Sequence, residues 1–354
     1  MLSLDLDIAP SVVTLAPQRE PQLCYALVTL MAQSAQVVPV HWSIVVDASR
    51  SMRIPIISEA QFRMLVRQGG AHEVVVDGVP IWQLAGPLPE RMREQAPSAL
   101  DHLARALHSV VERLDAADRF VLVACAEQAQ LLASGQGSER ALLLDGIARL
   151  KQLRLGEATD LAVGMQAALA AVAHNADRQR SRRLLLLTDG FTRDAQSCRA
   201  LVRQATDQGV SISTIGVGGD FQVELLTALA DSSGGRAHFV RRAEEIPRAV
   251  AAEFASAHGV SASAVTLHLE TPAQIAVRRV TRISPTLATL EWQRLAAQSY
   301  QLTLGDLERD QPLRLLVELL VPPAPAFAPD GRPTRRRLAV LRASSAVAAS
   351  ERVL

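Results

Sequence analysis

A carboxylate and two hydroxyls stand at alternate positions in the stretch SIVVDASRSM, residues 43–52. Asp47 ends a run of apolar, strand-forming residues, and Ser49 and Ser51 follow it in the turn. A set of hydroxyls with few carboxylates suits Mg²⁺, which prefers octahedral oxygen ligands at about 2.0–2.1 Å, and Mn²⁺ is a close substitute. No Cys or His accompanies these residues, which argues against zinc. The stretch therefore predicts a divalent-cation site.

The surrounding elements predict how this site is held. From Ser43 to about His258, short apolar runs such as RFVLVACA and RRLLLLTDG alternate with helical patterns. Buried strands that alternate with helices indicate an open, mostly parallel α/β sheet covered on both faces. Ligands bind such sheets at the carboxyl ends of the strands. Asp47 closes the first strand and Asp189 closes LLLLTD, so both carboxylates are expected at that edge.

Both ends of the chain follow a different pattern. Residues 1–41 and 259–345 alternate apolar and polar residues with a period of two, broken by Pro, Gly and polar turns, which is typical of antiparallel strands. We therefore expect an antiparallel β-sandwich assembled from both flanks, with an α/β unit at 42–258 inserted into it. The Pro-rich stretch VPPAPAFAPDGRP is interpreted as a loop between the last two strands, and residues 346–354 as a loose tail.

An insertion at residues 53–97 interrupts the alternation of strands and helices. It begins directly after the turn that carries Asp47, Ser49 and Ser51. Its segment SEAQFRMLVRQGG begins with a predicted capping box of Ser58 and Gln61. The segment EVVVDGVPIW then predicts a hairpin that turns at 77–78. Trp82 on this hairpin is either the anchor of an interface or packed onto its own domain. Because the insertion begins directly after the residues of the cation site, we expect it to lie beside that site and to shape access to it.

Two further residues extend the acidic motif: Thr159 in GEATDLAVGM and Asp189 in LLLLTDG. Together with Asp47, Ser49 and Ser51 they resemble, in order and in context, the metal-ion-dependent adhesion site (MIDAS) of von Willebrand factor A (VWA) domains. The resemblance covers about residues 41–258 and implies a Rossmann-like fold there. It also implies that Ser49, Ser51 and Thr159 ligate the metal directly, and that Asp47 and Asp189 bind it directly or through water.

In members of this family that bind in this way, a carboxylate from a partner protein completes the coordination of the metal. The resemblance therefore implies a Mg²⁺-dependent protein-binding or scaffold module rather than an enzyme, with Mn²⁺ or Ca²⁺ as alternative ions. Arg50, inside the loop, would either repel the metal or attract an acidic ligand. Intracellular bacterial VWA proteins often act as scaffolds or adaptors in assemblies, including ones with AAA+ ATPases. A VWA domain flanked by a β-sandwich also resembles the extracellular inter-alpha-trypsin-inhibitor heavy chains.

Two other functions stay open from the sequence. A metal-dependent phosphohydrolase would need a general base or nucleophile beside the metal, and only Glu157 and Asp160 are near in sequence. A purely structural subunit, in which the α/β unit is a spacer, would be indifferent to metal.

Composition restricts the partners. The 354 residues carry a formal net charge of +1 and are 3% aromatic, so nucleic acid is not expected as a partner. The N-terminus lacks the pattern of a secretory signal, no membrane-spanning run occurs, and the three scattered cysteines indicate reduced thiols. These features predict a cytoplasmic location. Arg241 and Arg242 are interpreted as a solvated strand or loop end, with contact to an acidic partner as the alternative.

Overall fold

A computed structural model describes residues 3–12, 15, 20–33, 38–76, 79–174, 180–219, 221–309, 311–323, 336–345 and 349–354. The strands are β1 (Ser3–Pro10), β2 (Gln22–Gln33), β3 (Val40–Asp47), β4 (Ala71–Val76), β5 (Val79–Leu84), β6 (Arg119–Cys125), β7 (Ala129–Gln136), β8 (Ser181–Thr188), β9 (Val210–Val217), β10 (Ala237–Val240), β11 (Val260–Glu270), β12 (Ala276–Ser284), β13 (Ala288–Thr289), β14 (Gln293–Ala296), β15 (Ser299–Glu308), β16 (Leu313–Val321), β17 (Val340–Ser344) and β18 (Ala349–Val353). The α-helices are α1 (Glu59–Arg67), α2 (Glu90–Gln95), α3 (Ala99–Val111), α4 (Arg140–Leu150), α5 (Leu161–Ala173), α6 (Ala195–Asp207), α7 (Val223–Ser233) and α8 (Ile246–His258). Within these described ranges, none of the helices combines the length and apolar character needed to cross a bilayer.

The central sheet has six strands in the order β10-β9-β8-β3-β6-β7. All neighbours pair in parallel except β7, which runs antiparallel to β6 at one edge. Helices α3, α4 and α8 cover one face of the sheet, and α5, α6 and α7 cover the other. This arrangement confirms the predicted open, mostly parallel α/β fold.

Strand β3 lies near the middle of this sheet, and all eight of its residues are buried. Such a position requires an apolar run on both faces, which explains the composition of the strand. On the face covered by α8, the Trp42 ring stacks on Phe254 with their centroids 3.8 Å apart. The carboxylate at the end of β3 is therefore held by one of the most enclosed elements of the molecule.

Both ends of the chain build one β-sandwich, as predicted. One sheet has the order β1-β2-β16-β12-β13, and the other has the order β14-β15-β11-β17-β18. The N-terminal β2 pairs with the C-terminal β16 along their length, and both sheets contribute to one core that includes Leu30, Leu267 and Leu315. The domain limits 1–41, 42–258 and 259–345 themselves stay predictions.

The end of the chain differs from its prediction as a loose tail over 346–354. In the described residues 349–354, β18 pairs antiparallel with β17, and Leu354 packs against the sandwich core. The Leu354 amide also donates a hydrogen bond to the Ala339 carbonyl at 2.9 Å. Main-chain pairing thus orders a segment whose polar composition gives little sign of a strand. The Pro-rich loop prediction falls mainly on residues 324–335, which lie outside the described residues.

The insertion forms the predicted helix and hairpin. Ser58 and Gln61 make the capping box at the start of α1, with hydrogen bonds in both directions. Strands β4 and β5 pair antiparallel, while the turn at 77–78 lies outside the described residues. The Trp82 ring meets Phe62 edge-on at a centroid distance of 5.3 Å and is still half exposed. The tryptophan therefore packs on its own unit and also presents a surface to solvent.

Buried ion pairs join the α/β unit to the sandwich. Arg183 of β8 lies 3.1 Å from Asp306 of β15 and 3.3 Å from Glu253 of α8, and all three side chains are almost fully buried. Arg236, just before β10, reaches Glu308 of β15 at 2.6 Å. Because Asp306 and Glu308 belong to the sandwich, these contacts favour one orientation of the two units.

A pH-sensitive ion pair lies at the start of β3. Nε2 of His258 is 3.3 Å from Oδ2 of Asp118, and Oδ1 of Asp118 accepts a hydrogen bond from the Val40 amide at 2.8 Å. The hydrogen bond to Asp118, acting against burial, raises the pKa of His258 from 6.5 to about 9. The protonated pair therefore stabilises the fold fully below pH 6.5, and this contribution is lost as the pH rises through 9.

We accordingly expect the unfolding free energy of wild type, relative to His258→Gln, to fall between pH 6.5 and pH 9. Urea denaturation of both proteins across this range measures the difference directly. A difference that stays constant over the range would contradict a protonated His258 in the folded protein.

Candidate metal centre

The five predicted ligands meet at one edge of the central sheet. Asp47 ends β3 and Asp189 directly follows β8, and these two strands are hydrogen-bonded neighbours. Thr159 precedes α5 and forms a bridge with Thr192, in the loop after β8. The carboxyl ends of adjacent parallel strands thus bring together residues that are far apart in the sequence.

Backbone hydrogen bonds fix the loop that carries Ser49 and Ser51. Oδ1 of Asp47 accepts from the Ser49 amide at 2.9 Å, and the Ala48 amide donates to the Cys125 carbonyl at 2.7 Å. A short 3₁₀ helix follows at Ser51–Arg53, and Nε of Arg53 donates back to the Ala48 carbonyl at 3.0 Å. The spacing of the two serines is therefore set by a turn bonded at both ends.

The side chains of the five residues form two contacting groups, which the Ser49 amide bridges through its hydrogen bond to Asp47. Oγ of Ser49 lies 3.1 Å from Oγ of Ser51, which donates to Oδ1 of Asp189 at 2.6 Å. Oγ1 of Thr159 donates to Oδ2 of Asp47 at 3.1 Å. Adjacent ligand oxygens of an octahedral Mg²⁺ site lie about 2.9 Å apart when the metal–oxygen distance is about 2.0–2.1 Å. Two carboxylates and three hydroxyls at these separations fit a hard divalent cation.

Thr188 belongs to the same cluster and was missed by the sequence analysis. Its hydroxyl donates to Oδ2 of Asp47 at 2.6 Å and accepts from the Gly190 amide at 3.2 Å. The Asp47 carboxylate is fully buried, and it accepts from Thr188, from Thr159 and from the Ser49 amide. Thr188 therefore orients Asp47. Its only sequence signal is a hydroxyl next to Asp189 at the end of an apolar strand.

Burial is graded across the cluster. Asp47, Ser49 and Thr159 are buried, whereas Ser51 is exposed and Asp189 is half-buried. The cluster thus opens to solvent on the side of Ser51 and Asp189. An external ligand would approach from that side.

Cys125 lies beside Asp47 without offering a soft ligand. It is buried, and the thiol is free. Burial, followed by the nearby charge of Asp47, raises the pKa of Cys125 well above its usual value of 9.0. The thiol therefore stays protonated near neutral pH, and the site presents oxygen ligands only.

Arg50 forms an ion pair at the rim of the loop. Its guanidinium lies 3.6 Å from the Glu157 carboxylate, and both side chains are largely exposed. Exposed pairs contribute little stability, but the pairing offsets the positive charge of Arg50 next to the site. Neither of the two predicted roles of Arg50 is tested by this contact.

The segment that carries Thr159 is anchored by α5. Oδ1 of Asp160 caps this helix by accepting from the amides of Ala162 and Val163 at 3.0 and 3.4 Å. Gly164 lets the helix lie close against the sheet, because a Cβ there would come within 2.7 Å of Val45 and of the Cys125 sulfur. Close packing of α5 on β3 and β6 thus holds Thr159 near Asp47.

A second group of potential ligands, Asp115, Asp118 and His258, lies at the opposite end of β3. Asp118 is already engaged by the amides of Val40 and Asp115 and by His258. With its pKa raised to about 9, His258 is a cation at neutral pH and not a metal ligand. The geometry of this group is that of an ion pair.

The fold resembles that of known proteins. The sequence model of the von Willebrand factor type A domain matches residues 94–252. The chain contains a VWA domain. The matched range includes Thr159 and Asp189, whereas Asp47, Ser49 and Ser51 precede it, on the other side of the insertion.

Solved structures show the same fold over nearly the whole chain. A von Willebrand factor type A protein from Catenulispora acidiphila superposes with a TM-score of 0.70, covering 99% of this chain and 72% of that one at 15% identity. The ArnB paralog VWA2 from Sulfolobus acidocaldarius gives a TM-score of 0.53, covering 99% and 74% at 14% identity. Because these matches extend beyond the VWA domain, they include the flanking sheets.

An uncharacterized protein of Synechocystis sp. is 28% identical to this chain over 228 residues. The match covers 62% of this chain and 53% of the relative, so it spans about half the relative's length.

Proposed function

We propose that the VWA domain holds Mg²⁺ on Asp47, Ser49, Ser51, Thr159 and Asp189, and binds a carboxylate of a partner protein there. The main support is the convergence of these oxygen side chains, with contacts of 2.6–3.1 Å within the Ser49–Ser51–Asp189 group and the Asp47–Thr159 pair. VWA domains are often protein-interaction modules that bind a divalent metal at a MIDAS, which agrees with this reading. Mn²⁺ and Ca²⁺ offer the same preference for oxygen ligands and are alternative ions.

The roles of the residues follow from their burial. Asp47, fully buried and held by Thr188, supplies a fixed negative charge at the base of the site. Ser49 and Thr159 contribute neutral oxygens, and Ser51 and Asp189 form the open side. A bound cation would supply positive charge at that side, and the small number of carboxylates would leave it able to attract another. The protein's own contribution is a cradle of three hydroxyls and two carboxylates, fixed at its base by the hydrogen bonds of Asp47.

The proposed setting is a multiprotein assembly in which the domain acts as a scaffold. An assembly with an AAA+ ATPase, in the cytoplasm of a bacterium, is the version favoured by the family resemblance.

The two carboxylates that a phosphohydrolase could use have other roles in this structure. Asp160 caps α5, and Glu157 pairs with Arg50 at the surface. No contact of the described residues places either one as a general base beside Asp47. The geometry therefore favours binding over hydrolysis.

The first test is the response of wild-type unfolding to metal. Thermal unfolding in chelator and in millimolar Mg²⁺, Mn²⁺ or Ca²⁺ should show a rise in stability of about 2.7 kcal/mol once the ion reaches one hundred times its Kd. Adding excess chelator to the metal-loaded protein should reverse the rise. Identical unfolding curves under all conditions would contradict the metal site and would favour the metal-independent structural subunit.

A further inference from the structure

A groove with a volume of about 830 Å³ runs from the proposed metal site across the neighbouring loops. Ser51 and Asp189, the open side of the cluster, form one end of it. The first residues of the insertion form one wall, and Arg241 and Arg242 after β10 lie along the groove. The proposed site and the groove are therefore one continuous surface.

Bulky apolar side chains stand exposed beside the metal residues. Ile54 is 56% exposed and Ile56 is 39% exposed, and both follow Ser51 closely in the chain. Phe191, two positions after Asp189, is 60% exposed. All three line the groove. Exposed apolar groups gathered in one place on a soluble protein mark binding surfaces, and here they flank the carboxylate-binding position.

Two glycines leave the groove open to a main chain. Gly218 and Gly219 follow β9, and a Cβ added to either would meet no heavy atom within 4 Å. Gly218 has a φ of +86°, a conformation that favours glycine, whereas no positive φ constrains Gly219. The Gly218 amide already donates to the Val240 carbonyl at 2.8 Å, so what the two glycines offer is close approach of another chain.

With a cation on the cluster, the charges of the groove favour an acidic ligand. Glu59 pairs with Arg63, and Nε of Arg242 lies 3.4 Å from Glu245. Among the described residues, the Arg241 guanidinium makes no ion pair or hydrogen bond. Glu244 also lines the groove and is the acidic group that an incoming ligand must avoid. With a cation on the cluster, the groove would have one positive centre at the metal and another at Arg241.

We propose that this groove binds an extended acidic–aliphatic segment of a partner protein. One carboxylate of the segment binds the metal, an adjacent Leu or Ile packs against Ile54, Ile56 and Phe191, and a second acidic side chain binds Arg241. The first contact rests on the proposed function, and the other two supply the sequence preference. Nucleic acid also offers anions, but its backbone would leave the apolar wall without a matching surface.

Fluorescence anisotropy with three pools of short labelled peptides tests the proposal. The first pool has two acidic residues around a Leu or Ile, the second has Ser in place of the aliphatic residue, and the third has Asn and Gln in place of the acids. In Mg²⁺, we expect the first pool to bind about tenfold more tightly than the second, as one partly buried aliphatic contact would give. The third pool should not bind, and chelator should abolish binding of the first.

Protein variants separate the groove from the metal. Ile56→Ser and Arg241→Glu should each weaken binding of the first pool about tenfold, the effect of losing one good contact. Both should keep the wild-type thermal response to Mg²⁺. Leu287→Ser and Arg279→Glu change an exposed leucine and an exposed arginine of the sandwich, and should leave binding unchanged.

The outcomes distinguish the two proposals. Equal binding of the first two pools, with no effect of Ile56→Ser or Arg241→Glu, would overturn the groove and leave metal-dependent carboxylate binding in place. A thermal response to Mg²⁺ without binding of any pool would also overturn the groove. Absence of both the thermal response and any Mg²⁺-dependent binding would refute the proposed function itself.

Discussion

Replacing Arg183 by methionine should lower the unfolding free energy by about 3–5 kcal/mol, the usual cost of removing one partner from a buried ion pair. The guanidinium lies between Glu253 and Asp306, and it contacts both within 3.3 Å. Methionine fills similar space but leaves two buried carboxylates without their cation. The loss is therefore electrostatic, and a cavity contributes little to it.

The state of Glu253 explains why this cost is large. Burial by itself raises the pKa of Glu253, but the hydrogen bond from His238 and the charge of Arg183 outweigh it, and the pKa is held below its usual value. Nε2 of His238 lies 2.9 Å from the carboxylate, and the Ser213 hydroxyl donates to it at 2.6 Å. Glu253 is thus ionised in a buried position, and it depends on its partners to stay so.

Urea denaturation followed by circular dichroism measures the effect. Arg242→Met is the matched control, because Arg242 pairs with Glu245 at the surface and its loss should change stability by less than about 1 kcal/mol. Adding Asp306→Asn to Arg183→Met should cost less than Asp306→Asn does in wild type, since the two side chains are in contact. A loss below about 1 kcal/mol for Arg183→Met would mean that the carboxylates find other partners or bind protons.

The convergence of the five candidate ligands is predictable because strand ends carry them. Asp47 and Asp189 each terminate an apolar run, and parallel strands place their carboxyl ends at one edge. Ser49 and Ser51 follow Asp47 within one turn, so their position depends on local sequence alone. Thr159 is the exception, since its contact with Asp47 relies on how α5 packs, and the family resemblance was needed to include it.

Other parts of the fold lack a local signal. Strand β7 lies at the edge of the sheet and has the sequence AQLLASGQ. It is buried over only part of its length, so its apolar pattern is weak. In α4, three consecutive leucines obscure the helical period. In the sequence, Thr188 is only the last residue of a predicted strand. Its hydrogen bond to Asp47 depends on the three-dimensional structure.

The contacts between the α/β unit and the β-sandwich could not be predicted from the sequence, for a different reason. Arg183, Glu253 and Asp306 come from β8, α8 and β15, and each looks like an ordinary surface charge in its own segment. Their burial is a consequence of docking the sandwich against the α/β unit. Patterns within a segment report on one element, whereas pairing between segments depends on the assembled fold.

Asp47→Asn should abolish most of the metal-dependent stabilisation and change the metal-free protein far less. The substitution keeps the size of the side chain, so no cavity forms. The amide oxygen can still accept from the Ser49 amide, and the amide NH₂ can donate to the hydroxyls of Thr159 and Thr188, which now act as acceptors. In chelator, the variant should therefore unfold close to wild type.

In metal the two proteins should diverge. Wild type should gain about 2.7 kcal/mol at one hundred times its Kd, and the variant should gain little, because the buried negative charge at the base of the site is gone. Asp145→Asn is the matched control, since Asp145 pairs with Arg149 on the exposed face of α4 and no contact among the described residues joins it to the five candidate ligands, and it should respond as wild type does. Equal metal-dependent stabilisation of Asp47→Asn and wild type would show that Asp47 is not needed for binding. If Asp47→Asn is less stable than wild type in metal but not in chelator, the lost stability comes from the metal site itself. A general defect of folding would lower stability under both conditions.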